Sequence, residues 1–109
     1  MEQGILRPIE WARFAAERYQ KVDLASSPRL QLGLNCFEPG QSQPVHGHEG
    51  QDKFYLVVSG TGTIRLADET TTLGPGEMAW APAGVPHGVD NDSDGRLVLL
   101  VGMAPAPGA

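Results

Sequence analysis

A chain of 109 residues holds one ordinary domain, and it is long enough to bury a core without disulfides or metal staples. With 14 Gly and 9 Pro, about a fifth of the chain, and only 19% charged residues, it is unlike a coiled coil, a helical bundle or a charged disordered tail. Eight basic residues against 13 acidic ones, with no run of Lys or Arg, argue against nucleic acid or an anionic membrane as a partner.

The first pattern along the chain is Pro8 to Glu17. Pro8 near the start, Glu10 in the first turn, and Trp11, Phe14 and Ala15 at helical spacing predict a short amphipathic helix packed on a sheet as a cover. From residue 18 the period changes to two. Leu30, Leu32, Leu34 and Cys36 alternate with Gln31, Gly33 and Asn35, the pattern of a half-buried strand that Pro39-Gly40 ends. Phe54 to Val58 reads as a strand closed by Ser59-Gly60-Thr61-Gly62, and Thr63 to Leu66 is its hairpin partner. Thr70 to Leu73, Glu77 to Ala81 and Pro86 to Val89 are further short extended pieces, separated by turns such as Gly74-Pro75-Gly76. Leu97 to Val101 is apolar enough to be buried on both faces. Short strands with Gly and Pro punctuation predict an all-β sandwich or barrel. Residues 1–103 read as one domain, and 104–109 as a flexible Pro/Ala-rich tail with nothing to bury.

Leu97 to Val101 is also the longest apolar stretch and is too short to span a bilayer, and Met1-Glu2-Gln3 lacks the start of a signal peptide. A lone Cys36 has no internal disulfide partner. These features predict a cytoplasmic protein. Cys36 itself reads as a small core residue, Trp11 and Trp80 as packing residues, and Arg65 as a solvated hairpin side chain.

The chemistry-bearing residues are the three histidines. His46 and His48 stand two apart, so on an extended segment both rings point to one face, and His87 lies between turns in Pro86-His87-Gly88. Three imidazoles on one face suit a transition metal. Around them runs a framework of Gly and Pro. Gly40, His46, His48, Lys53 and Gly60 form one set, and Gly76, Pro82, Gly84, His87 and Asn91 another, with 15 residues between Gly60 and Gly76. The first set resembles the first motif of the cupins, in which a Glu stands at the position of Lys53. The second resembles the second cupin motif with every named position filled. Together they cover residues 40–91.

The resemblance implies a double-stranded β-helix, or jelly-roll, barrel with one divalent transition metal (Zn, Ni, Fe or Mn) on His46, His48 and His87. It gives Asn91, Gly84 and the prolines turn and structural roles. It further implies a homodimer and a small-molecule ligand or substrate. Lys53 is the departure. At an effective dielectric of about 20, an ammonium about 4 Å from a dication is repelled by about 8 kcal/mol. The expectation is therefore that the Lys53 stem swings out of the pocket, while Gln51 and Asp52 offer oxygen ligands and Tyr55, on the strand face of Lys53, lines the pocket. The function this implies is a metal-dependent dioxygenase, isomerase or decarboxylase acting on a small organic acid or diketone. In it Lys53 serves as proton carrier or carboxylate anchor. The alternative is a non-catalytic barrel that binds or senses a small molecule, metal-free if Lys53 displaces the ion.

Overall fold

The computed structural model describes residues 4–47 and 49–108. Among the described residues nine strands form two sheets. The first has five strands in the order β1-β2-β9-β4-β7, and the second has four in the order β3-β8-β5-β6. In chain order the strands are β1 (Gln20–Ser26), β2 (Gln31–Phe37), β3 (Ser42–His46), β4 (Asp52–Ser59), β5 (Gly62–Leu66), β6 (Glu69–Leu73), β7 (Met78–Ala81), β8 (His87–Asp90) and β9 (Leu97–Ala104). All pairings are antiparallel. This is the jelly-roll barrel that the two motifs imply.

The alternation of each strand places its core. Tyr55, Val57, Leu97, Leu99, Val101 and Phe37 from the first sheet meet Ile64 and Val89 from the second, closing the barrel interior. The opposite face of the five-stranded sheet carries Val22, Leu24, Leu34, Cys36 and Val98, and it is covered by Leu6, Ala12 and Phe14. Central strand β9 is thus buried on both faces, as its continuous apolar run predicts. Strand β2 departs from the expected half-burial. Leu34, Asn35, Cys36 and Phe37 are all buried, because odd positions line the barrel while even ones meet the N-terminal segment.

That segment is not the ten-residue helix its spacing predicts. Only Pro8–Trp11 form a 3-10 turn, and Ala12 is already extended at φ −61°, ψ 138°. So short an isolated helix has little stability of its own. Extended, the chain buries Ala12 and Phe14 on alternate positions against the sheet. The Arg96 guanidinium lies 4.2 Å over the Phe14 ring and the Gln41 amide donates to Ala15 O at 2.7 Å, which tie the strap down. Two further expectations need correction. Trp11 and Trp80 are not core residues, being 39% and 53% exposed. The segment from 104 onward does not lack burial either, since β9 runs through Ala104 and Ala106 is buried, its N–H donating to Pro28 O at 3.2 Å. Cys36 is fully buried, and burial pushes its thiol pKa up, as befits a core residue. Arg65 is solvated as expected and pairs with Asp90 at 2.6 Å.

Two glycines fit positions where other residues would be strained. Gly60 ends β4 at φ +83°, and a Cβ there would lie 2.1 Å from Arg96 O. Gly84, also at φ +83°, sits inside the turn in which Val85 N–H donates to Pro82 O at 3.0 Å. That turn delivers the chain into β8 with His87 as its first residue. Asn91 has the structural role the motif implies. Fully buried, its side-chain amide donates to Phe37 O at 3.2 Å and Gly95 O at 2.9 Å, tying the end of β2 to the loop before β9. No described helix is long and apolar enough to cross a membrane.

Candidate functional site

Strand β3 would turn Gln43 and His46 to opposite faces if it were regular, since three positions separate them. It is not regular. Gln43 pairs with Val89 and His46 with His87, so Pro44 and Val45 together oppose the single residue Gly88. This bulge brings both Gln43 and His46 to the face shared with His87 and Val89. Gly88 suits the bulge, because a Cβ there would press on Val45 N and Gln43 O at 3.0 and 3.1 Å. Pro44 is tolerated because β3 is an edge strand.

The result is an imidazole pair. The His46 and His87 ring centroids lie 4.5 Å apart with their planes at 62°. His87 is buried, and the Tyr55 ring meets it edge-on with centroids 5.8 Å apart. The two rings are anchored alike. His46 Nδ1 bonds Pro44 O at 2.8 Å, and His87 Nδ1 bonds Val85 O at 2.9 Å. A carbonyl oxygen only accepts, so each Nδ1 donates its proton, and Nε2 is the ring nitrogen that would coordinate a metal. A backbone carbonyl holding the far nitrogen is the arrangement by which metal-binding histidines are oriented. The pair therefore fits two ligands of a divalent ion. The third expected ligand, His48, lies outside the described residues. Among the described residues no three His, Cys, Asp or Glu gather as a metal-binding group.

Residue 53 is where the structure overturns an expectation. The Lys53 stem does not swing out. It is on the buried face of β4 with Tyr55 and Val57, only 4% exposed, with Nζ 4.9 Å from the centroid of the Tyr55 ring. The physical reason is the strand period, since a residue two before Tyr55 shares its inward face whatever its charge. Burial, with the positive charge of Lys21 adding to it, brings the Lys53 pKa down to about 8. The two side-chain ion pairs among the described residues, Arg65–Asp90 and Arg96–Glu38, lie elsewhere. The described residues thus fit two imidazole ligands, and position 53 offers no carboxylate to join them.

The other proposed pocket residues separate. Asp52 points away from Lys53, is exposed, and accepts from Ala83 N–H at 2.9 Å, so it braces the loop before β8. Gln51 is half-buried just ahead of β4. Tyr55 does line the interior. Its hydroxyl donates to Gln43 Oε1, and Gln43 Nε2 donates to Tyr19 Oη at 3.1 Å. Burial raises the Tyr55 pKa, so the phenol stays protonated. This Tyr55–Gln43–Tyr19 chain, together with buried Asn35, is the part of the site that sequence reasoning missed. Only Pro44 hinted at the bulge that turns Gln43 inward.

A model of the cupin domain matches residues 33–103, and the chain belongs to that family. It is 34% identical over 76 residues to an uncharacterized protein of Streptomyces coelicolor, covering 70% of this chain and 71% of that protein. It is 33% identical over 75 residues to gentisate 1,2 dioxygenase 1 of Aquipseudomonas alcaligenes, covering 68% of this chain but only 21% of the enzyme. Among solved structures it superposes on the crystal structure of TT1209 from Thermus thermophilus with a TM-score of 0.89 and 42% identity. That match covers 93% of this chain and 96% of the other.

Proposed function

We propose that this cupin holds one divalent transition metal on His46, His48 and His87 and is a metal-dependent enzyme of dioxygenase, isomerase or decarboxylase type. Its substrate on this reading is a small organic acid or diketone. The observation that carries the reading is the paired anchoring of His46 and His87, each with Nδ1 donating to a backbone carbonyl and the two rings 4.5 Å apart. The similarity to a gentisate dioxygenase over 75 residues supports the reaction class, although the chain spans about a fifth of that enzyme. A bound metal supplies a Lewis acid or oxygen-activating centre with positions open to a chelating substrate.

The chain's own residues do the rest. Tyr55, fixed by Gln43, packs against His87 and limits how the ring can turn. Lys53 presents a cation on the interior face, and with a pKa near 8 it can give or take a proton close to neutral pH. The zinc, nickel, iron and manganese contents of the purified chain test the reading. Near-stoichiometric metal that is lost in His87→Ala supports it, and an empty native protein contradicts it. Replacing Lys53 by Met is expected to lower turnover far more than metal content.

A second reading has its own observation. Lys53 stands inside the barrel where the motif's usual Glu would be, which favours a metal-free barrel that binds a small molecule without converting it. In that case the native protein is empty while Lys53→Glu fills with metal. A ligand then raises the melting temperature with no product formed.

A further inference from the structure

A cavity of about 240 Å³ opens on the inner face of the five-stranded sheet, walled in part by Gln43, and neither His46 nor His87 lines it. Lys21, Asp23, Asn35, Lys53, Val101 and Met103 are among its walls. Two of these, Lys53 and Asn35, are buried polar residues, 4% and 5% exposed, that line the cavity. An acceptor held in the cavity can take hydrogen bonds from both the ammonium and the amide, and the charge on the ammonium strengthens its bond. Lys21 adds a second cation at the exposed mouth, opposite Asn35 in the β1–β2 register. Asp23 contributes one negative charge there and accepts from Gln31 Nε2 at 3.4 Å. Two lysines against one aspartate leave the walls with one positive charge, which suits a single negative charge and disfavours a dianion. Val101, Met103 and the nearby Leu34 make the remainder apolar.

We infer that this cavity binds a small, singly charged organic carboxylate, its acid group on Lys53 Nζ and the Asn35 amide, with Lys21 at the mouth and the apolar remainder against Val101 and Met103. The inference deepens the proposed function by naming how Lys53 holds the small organic acid, and its donors come from β2 and β4 and not from the imidazole pair.

The test is calorimetric titration and thermal melting of the full chain after treatment with a chelator. The probes are butyrate and benzoate, their neutral amides, and inorganic phosphate. The carboxylates are expected to bind and to raise the melting temperature, while the amides and phosphate do not. Lys53→Met is expected to abolish carboxylate binding, Asn35→Ala to weaken it by about tenfold, and Lys21→Gln by a few-fold, in keeping with charge-assisted against neutral hydrogen bonds. Lys21 is exposed, so its variant folds and reports even if a core variant does not. Equal binding of the amides, equal binding of phosphate, or undiminished binding by Lys53→Met or Lys21→Gln overturns the inference. So does loss of butyrate and benzoate binding on chelation, which would place the carboxylate on the metal and leave the proposed function standing. Binding that persists after chelation and in His87→Ala supports the inference even where metal analysis finds none.

Discussion

Lys53 is the residue on which function and stability meet. Folding takes its ammonium out of water and lowers its pKa from 10.5 to about 8. The unfolded chain therefore binds more protons between those values, and stability must rise with pH across the window from about 8 to 10.5. Below pH 8 the full penalty, on the order of 3 kcal/mol, weighs on the folded state. In the ligand-free chain, Lys53→Met is expected to raise the melting temperature by several degrees at pH 7 and to flatten the rise between pH 8 and 10.5. Melting curves across that range check it, and an unchanged pH profile would show that Lys53 is not the group responsible. Asn91 has the opposite balance, because every bond it makes is internal. Asn91→Leu removes the side-chain donor to Phe37 O and leaves Gly95 O with Ser93 Oγ, and a loss of about 2–3 kcal/mol in denaturant unfolding is expected.

At the level of elements, irregularities position the site more than the regular strands do. The β3 bulge brings Gln43 and His46 to one face, and the Gly84 turn sets His87 at the start of β8. The β4–β5 connection is equally exacting. Gly60→Ala forces a Cβ against Arg96 O at a positive φ, and a destabilisation of about 2 kcal/mol or more is expected in denaturant unfolding.

For the whole molecule, the open feature is edge strand β7. Its inward residues Ala79 and Ala81 are buried, while Met78 and Trp80 are 56% and 53% exposed at the end of the five-stranded sheet. An edge with unpaired backbone groups and large apolar side chains is a template for pairing with a second copy. Sedimentation is expected to show a homodimer that Trp80→Lys converts to monomer, and a native protein that stays monomeric at all concentrations would exclude this surface as the interface.

Local pattern was enough for much of this protein. Alternation marked β2, apolar runs marked β4 and β9, glycines marked the turns that need a positive φ, and the spacing of Gly60, Gly76, Pro82, Gly84, His87 and Asn91 pointed to the barrel. These signals are legible because strand alternation, turn stereochemistry and hairpin spacing act between residues close in the chain. Other features depended on contacts between distant segments. The strap at residues 6–14 gave up its helical spacing because a sheet face absent from the local sequence captured it. The bulge that turns Gln43 inward exists only in the pairing of β3 with β8, two strands far apart in the chain. Lys53 was drawn inside by the register of the strand that carries Tyr55 and Val57, against the preference of its own charge for water. Local chemistry chose the elements, and long-range packing decided which polar groups were carried into the barrel with them.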